Sequence, residues 1–394
     1  MKTQKKEAIV VPIILAGGRG RRLWPISTLN RPKALCKIPN VNNTLFEKTY
    51  RTLYYDMHLD FTSPIVTCNE NSWNKIYKKY KEISYSNNSS FIIEPFSRNT
   101  APSIGLACLE AKRLYKNKNV IVVVMPIDHV MKFDASVSVL ERALKRACYS
   151  AAFDNSIVAL GYKPHKISTK YGYMKCKKCD NNSKIYDIDR FVEKASPNFT
   201  DPFCNSGIYV FKPNVYLNEF KKLNSKMYET VVSAFVNSCI YEKLDLSKNG
   251  ATDNKETATR NSFIYPPRMI YLDIPNTESS IDYVIMEKTI KGKMVEISDD
   301  WDDLGTWNSI YDFNRDDEHE DDNHNVSIVS ESTSVHYIHS KSNLVYSEDK
   351  ELQIGIVGLD NIIVVRNGKR LLIADRNKCG DYIENVSKHF DGCL

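Results

Sequence analysis

Apolar, β-branched runs recur through the first three hundred residues, at 9–15, 64–68, 91–93, 120–125, 157–160 and 208–211, with a weaker one at 294–297. Several are continuous rather than alternating, the pattern of strands buried on both faces of a sheet. Helical patterns lie between them. Asn99 or Thr100 can cap a helix with Pro102 in its first turn, and Ile104, Ala107, Cys108, Ala111 and Leu114 then recur at helical spacing. Segments 137–151 and 214–223 read the same way. Strands alternating with helices predict an α/β domain on a doubly wound, mostly parallel, Rossmann-like sheet.

Near residue 316 the pattern changes. Asp316, Asp317, Glu318, Glu320, Asp321 and Asp322 form an acidic run, read as a solvated linker over 316–323. Short strand-like pieces follow at 326–329, 334–339, 344–346, 354–357, 362–365 and 371–374, separated by turn residues such as Gly358, Asp360-Asn361 and Asn367-Gly368. No helical period is read there. Residues 324–394 are therefore expected to form a small all-β module after a catalytic domain at 1–315. So short a module makes a poor sandwich by itself and is expected to stack on the first domain or on another subunit.

With 394 residues, 42% hydrophobic and 26% charged, the chain has the composition of a globular protein with room for a large core. Its net charge of +6 is mild, and the first forty residues hold nine Lys or Arg against one acid, Glu7. The excess is local and requires no nucleic-acid partner. Lys2, Lys5 and Lys6 ahead of the apolar 8–16 imitate a secretion signal, but the run is short, is interrupted by Pro12 and passes straight into a glycine-rich loop. No apolar stretch reaches the ~20 residues that span a bilayer, so no membrane is expected. Ten cysteines are scattered without framework spacing. Cys36, Cys108, Cys148 and Cys239 lie in apolar surroundings and read as buried free thiols. Cys176 and Cys179 form one C-x-x-C, half of what a structural zinc site needs. A cytoplasmic protein is the simplest fit.

The chemistry gathers first in Gly17-Gly18-Arg19-Gly20-Arg21-Arg22-Leu23-Trp24-Pro25, closed by Pro32-Lys33. The glycines admit backbone N–H groups to phosphate oxygens, and the arginines and Lys33 add matching charge. The loop is not a Walker A, which ends Gly-Lys-Ser/Thr, nor the dinucleotide fingerprint, whose glycine spacing differs. Gly-Gly-x-Gly-x-Arg-Leu-x-Pro followed by Pro-Lys resembles the signature of sugar-nucleotide pyrophosphorylases. With Trp24 and Ser27 it is most similar to the bacterial-type mannose-1-phosphate guanylyltransferases (GDP-mannose pyrophosphorylases) of the mannose-6-phosphate isomerase type 2 family. Further matching blocks follow in order: 94–102 (EPFSRNTAP), 126–129 (PIDH), 171–173 (YGY), 191–194 (FVEK), 205–207 (NSG), 280–283 (SIDY) with 286–288 (MEK), and 301–307 (WDDLGTW).

The resemblance implies attack of a sugar 1-phosphate on the α-phosphorus of a nucleoside triphosphate, with pyrophosphate leaving: GTP and α-D-mannose 1-phosphate give GDP-mannose and diphosphate. Both reactants are anions, so the site must cancel repulsion and stabilise transition-state charge. The phosphate is already ionised, so no protein nucleophile is needed. Arg22 and Lys33 are the candidates for the β- and γ-phosphates, against a reading as solvated loop charges. Arg21 stands where relatives carry a small hydroxyl residue. Asp128 follows an apolar strand at the end where open α/β sheets place ligands, and Asp303 lies in a turn flanked by Gly and Trp. The resemblance implies that both hold one Mg²⁺; a helix cap and an Asx turn are the competing readings.

It further implies nucleotide contacts from Gly17, Gly18, Gly20, Arg98 and Asn99, and sugar-phosphate contacts from Gly172, Glu193, Lys194 and Asn205. Relatives usually carry Pro directly after the lysine, where this chain has Ala195 with Pro197 two later. His129 is read as structural, because no general base is required. Segments 344–346, 358–365 and 371–376 resemble the short β-helix-like tail of these enzymes, with a role in assembly or regulation that is compatible with a homodimer. Many relatives continue into a cupin isomerase domain; the sequence ends at Leu394 without one, so no isomerase activity is expected. The alternatives are another sugar or nucleotide, or a silent sugar-nucleotide-binding paralogue. The presence of Lys33, Asp128, Lys194 and Asp303 argues against the silent one.

Overall fold

The computed structural model describes residues 8–38, 41–84, 88–131, 134–164, 171–178, 184–193, 201–246, 258–275, 277–297, 301–315 and 319–391. Packing divides the chain into two compact units. One comprises Met1–Gly17, Thr49–Ile127 and Phe133–Trp301; the other comprises Gly18–Lys48, Asp128–Lys132 and Asp302–Leu394.

Among the described residues an eleven-stranded sheet organises the first unit. Ile9–Leu15 lies inside it, parallel to Ile65–Asn69 on one side and Val120–Pro126 on the other. Ser90–Glu94 and then Ala258–Tyr265 extend the parallel set. Ile65–Asn69 and Ser90–Glu94 are buried at every position, which is why their runs do not alternate. Beyond Val120–Pro126 the sheet becomes mixed. Phe203–Phe211 runs antiparallel to Val120–Pro126 and to Ile157–Tyr162, and Ile185–Val192 runs antiparallel to Tyr173–Lys178 and Gly292–Glu296. The α/β sheet is as expected, but the parallel order holds mainly around its N-terminal strand. Tyr173–Lys178 and Ile185–Val192 are separated by six residues, too few for the crossover that parallel neighbours need. The helices Thr100–Leu114, Asp134–Asp154 and Pro213–Leu223 occupy the expected spans.

The second unit contains a short solenoid of parallel coils. Val326–Ile328, Leu344–Ser347 and Ile362–Asn367 form one parallel ladder, and Ser334–Ile338 pairs with Gln353–Val357 to form another. Arg370–Asp375 closes the first ladder antiparallel. Three asparagines, Asn325, Asn343 and Asn361, stand one coil apart. Asn343 Nδ2 donates to Leu359 O at 2.7 Å, its Oδ1 accepts from Ile362 N at 2.9 Å, and its own N–H donates to Asn325 Oδ1 at 3.1 Å. Each coil thus fixes the turn of the next, as in other repeat structures.

Two expectations for this region need correction. Residues Arg376–Phe390 form a helix, so the tail is not all-β. Asp375 caps it by accepting from Asn377 N and Lys378 N, and Cys379 and Ile383 are buried four residues apart. In the acidic run, 316–318 lie outside the described residues, but Glu320 and Asp321 are not a bare linker. Glu320 accepts from Arg315 Nε at 2.8 Å, and Asp321 accepts from Asn323 N and Asn325 N, locking the first coil.

The tail also packs the glycine-rich loop. Leu23, Trp24, Ile26, Leu304, Trp307, Leu344, Ile363 and Ile383 belong to one buried cluster. Trp307 Nε1 donates to Trp24 O at 3.0 Å, Asn367 Nδ2 donates to Pro25 O at 3.2 Å, and the Trp24 ring stacks on Phe390 with centroids 5.4 Å apart. Arg31 forks onto Glu348 with bonds of 2.8 and 3.0 Å. Of the cysteines read as buried, Cys36 and Cys108 are buried and Cys148 is half-buried. Cys239 is exposed, because it begins the edge strand Cys239–Leu246. Cys179 lies outside the described residues. Among the described residues no helix is long and apolar enough to cross a membrane.

Asn343→Ala leaves the part-buried Leu359 carbonyl and Ile362 N–H without their partner. The variant is expected to lose about 3 kcal/mol of stability, read as a lower urea midpoint at unchanged slope.

Candidate active site

In the second unit the loop is shaped around Lys33. Gly20 adopts φ 70°, a left-handed conformation, at the head of the short turn Arg21–Leu23. A Cβ added at Gly20 would lie 2.5 Å from Lys33 Cβ, so only glycine allows this approach. The Ser27 hydroxyl donates to Gly20 O and holds the turn. Lys33 is 5% exposed, and its Nζ donates to Asp128 Oδ2 at 2.5 Å. A buried ammonium is tolerable only when paired in this way.

Asp128 follows the apolar strand Val120–Pro126, as its sequence position implies. The short strand after it, His129–Met131, pairs with Trp301–Asp303, and Leu304 N–H donates to Asp128 O at 3.0 Å. The backbone therefore brings position 303 beside position 128. The following turn is fixed by a capping box in which Thr306 and Ser309 exchange bonds. The side chains of Asp303 and His129 lie outside the description. Arg21 and Arg22 are half-buried, and among the described residues neither side chain has a hydrogen-bonding or ionic partner. Arg21 and Arg19 line a small open recess with Ser27, Thr28, Ser387, Lys388 and Asp391. Arg21 thus lies beside the C-terminal helix.

In the first unit, two groups of polar side chains stand at strand ends. Glu94 ends the buried strand Ser90–Glu94 and is 3% exposed. Its Oε1 accepts from Ser103 Oγ at 2.6 Å and from the Tyr271 hydroxyl. Its Oε2 has no partner among the described residues and would lie 3.3 Å from a Cβ at Gly17. Burial pushes this carboxyl up to about 7, against both hydrogen bonds. Arg98 stacks over Phe96 at 5.4 Å, and its Nε is buried without a partner among the described residues. Asn99 spends its side chain on capping Thr100–Leu114, with Oδ1 accepting from Thr100 N at 2.9 Å.

The second group gathers Gly172, Glu193 and Asn205. A Cβ at Gly172 would sit 2.6 Å from Glu193 Oε2, so the glycine makes room for the carboxylate. Asn205 N–H donates to Gly172 O at 2.9 Å, and Glu193 N–H donates to Glu287 Oε1 at 2.9 Å. Asn205 Nδ2 donates to the Tyr209 hydroxyl at 2.7 Å and to Asp282 Oδ1 at 2.9 Å. The strand leading to Glu193 ends at Val192. Lys194 lies outside the described residues. Sequence reasoning assigned no role to Glu94, Tyr209, Asp282 or Glu287. Glu94 carried a usable signal, an acid ending a fully apolar strand, the same one that marked Asp128.

Residues 11–320 match the model of the Nucleotidyl transferase family. The chain belongs to that family. It is 28% identical over 390 residues to the Alginate biosynthesis protein AlgA of Pseudomonas aeruginosa, covering 97% of this chain and 72% of that one. It is 28% identical over 395 residues to a Mannose-1-phosphate guanylyltransferase of Escherichia coli, covering 97% and 76%. Among solved structures it resembles a protein described as a mannose-1-phosphate geranyltransferase from Thermus thermophilus, with TM-score 0.73, 22% identity, and 97% and 99% of the two chains covered. That likeness bears out the nucleotidyl transferase fold with its β-rich C-terminal region. As a nucleotidyl transferase, the protein moves a nucleotidyl group, and the loop around Lys33 lies within the matched residues.

Gly20→Ala adds both backbone strain and a clash on the Lys33 stem. It is expected to lower kcat/KM for the nucleotide by about a hundredfold, while circular dichroism shows the fold retained. Wild-type kinetics in that variant would contradict the packing described for Lys33.

Proposed function

We propose that the protein is a mannose-1-phosphate guanylyltransferase, joining GTP and α-D-mannose 1-phosphate into GDP-mannose with release of diphosphate. The observation that carries this reading is the buried Lys33–Asp128 pair packed on Gly20, in a nucleotidyl transferase alike over nearly its whole length to a relative bearing that name. The phosphate of the sugar attacks the α-phosphorus in line, and no protein nucleophile takes part. Lys33 and Arg22 neutralise the β- and γ-phosphates and then the departing diphosphate. Gly17, Gly18 and Gly20 present backbone to the nucleotide.

Asp128 and Asp303 fit a divalent cation. Asp128 offers a half-buried carboxylate, position 303 is brought beside it by the Leu304 bond, and such hard oxygen donors suit Mg²⁺. When bound, Mg²⁺ would supply Lewis-acid neutralisation of phosphate charge.

Glu94 supports guanine as the base. With Oε1 held by Ser103 and Tyr271, its open Oε2 is an acceptor. Guanine offers N1–H and amino donors, whereas adenine presents the acceptor N1. Arg98 and Asn99 flank this end of the nucleotide. Gly172, Glu193, Lys194 and Asn205 serve the sugar phosphate, with Lys194 assigned by resemblance. Segment 1–315 carries the reacting groups in this reading, and module 324–394 holds the loop and serves assembly, including a homodimer. The substrates are small soluble anions, which suits a cytoplasmic enzyme without nucleic-acid or membrane partners.

Pyrophosphate release is to be measured with Mg²⁺, each nucleoside triphosphate and each sugar 1-phosphate. GTP with mannose 1-phosphate is expected to exceed every other pair by at least about tenfold in kcat/KM; a preference for UTP or for glucose 1-phosphate would contradict the reading. Asp128→Asn and Asp303→Asn are each expected to lower kcat by about a hundredfold or more.

The Glu94 carboxyl must ionise to accept from guanine, and its raised value puts that ionisation near neutrality. Affinity for GTP is therefore expected to rise as pH increases through about 7. In Glu94→Gln this dependence is expected to flatten and selectivity for GTP over ATP to fall about tenfold. A pH profile unchanged by Glu94→Gln would sink the assignment.

A further inference from the structure

Asp282 has no place in the reaction described above, yet it organises a residue that does. Strand Phe203–Phe211 slips register against Ile157–Tyr162 between Asn205 and Tyr209. Asn205 lies opposite Gly161 and Tyr209 opposite Ala159, so four steps on one strand face two on the other. Gly207 sits in this bulge at φ 74°. In a regular strand, side chains four residues apart are separated by roughly 13 Å; here Asn205 Nδ2 and the Tyr209 hydroxyl are 2.7 Å apart. Asp282, the first residue of the turn Asp282–Met286, closes the group. Its Oδ1 accepts from Asn205 Nδ2 at 2.9 Å and from the Tyr209 hydroxyl.

These contacts use both hydrogens of the Asn205 amide nitrogen. On its other side, Asn205 Oδ1 accepts from Gly207 N–H at 3.1 Å. A carboxylate can only accept and a backbone N–H can only donate, so the amide cannot flip. One lone pair of Oδ1 is left. Gly172, whose carbonyl accepts from Asn205 N–H, and the Glu193 carboxylate beside it complete the surroundings.

We infer that Asp282 is a positioning residue for sugar recognition: it locks Asn205 so that its side chain meets the sugar only as an acceptor, selecting a hydroxyl that donates. The inference rests on the proposed function for the nature of the sugar phosphate. Burial raises the Asp282 carboxyl from its ordinary value, against the bond from Tyr209, which fits a group kept for orientation rather than for exposed charge.

The test separates Michaelis constants by substrate, using the sugar 1-phosphate and nucleotide that the wild type turns over best. Asp282→Ala is expected to raise the sugar-phosphate KM about tenfold or more while the nucleotide KM stays within about twofold. Asp282→Asn, which still offers an oxygen to Asn205, is expected to restore the sugar KM to within about threefold of wild type. Because Asp282 acts through Asn205, the double variant Asp282→Ala/Asn205→Ala is expected to match Asn205→Ala alone rather than multiply the two effects. Should Asp282→Ala not fold, Tyr209→Phe removes one arm of the lock, and a selective rise of a few-fold in the sugar KM is expected.

Equal rises in both constants, or multiplicative effects in the double variant, would overturn the inference. Failure of the proposed function shows earlier and elsewhere, in the wild type: turnover of a different sugar moves the test to that sugar, and no turnover with any sugar 1-phosphate overturns both.

Discussion

Lys33 is buried, and a buried ammonium must be paired. Much of the second unit follows from that constraint. Its partner, Asp128, is delivered by the end of an apolar strand. Its stem is pressed by a glycine that can carry no side chain. A loop rich in glycine and arginine has little core of its own, so Leu23, Trp24 and Ile26 are packed by the solenoid and the C-terminal helix. The tail is thus part of what shapes the glycine-rich loop. Arg21 and Arg22, by contrast, have no partner among the described residues, which leaves their charge available to an anion.

The first unit places carboxylates where they are costly. Glu94 is almost fully buried and its ionisation is pushed up to about 7. A carboxyl whose folded value lies above its ordinary 4.5 favours the folded state most when protonated; that contribution fades as pH rises from about 4.5 to about 7. At neutral pH the fold therefore gives up stability to keep this acid beside Gly17, as functional sites commonly do. Asp282 is buried as well, and its bonds hold Asn205 and Tyr209. In the proposed reading one acid meets the base directly, and the other fixes a side chain that meets the sugar.

Much of this was legible in the sequence because local signals agreed. Continuous β-branched runs marked the central strands, and Asn99 with Pro102 marked the helix start. The block pattern marked the loop, Asp128 and the strand-end residues. The mixed order of the sheet was not legible, since an antiparallel buried strand such as Phe203–Phe211 has the same apolar run as a parallel one. The C-terminal helix was hidden by expectation rather than by chemistry: Asp375 and the spacing of Cys379, Ile383, Val386 and Phe390 are ordinary helix signals. The eighteen-residue recurrence of Asn325, Asn343 and Asn361 was also open to view. What no pattern could supply was the Asn205–Tyr209–Asp282 group, because it depends on a register slip and on two segments more than seventy residues apart.

The central claim is a single direct displacement at the α-phosphorus, with the protein supplying charge and position but no nucleophile. The stereochemical course of transfer from GTP carrying a sulfur at the α-phosphorus tests it most directly, read by phosphorus NMR of the sugar nucleotide formed. Inversion at phosphorus is the predicted result. Retention would require two successive displacements through a covalent enzyme intermediate, and would contradict the account.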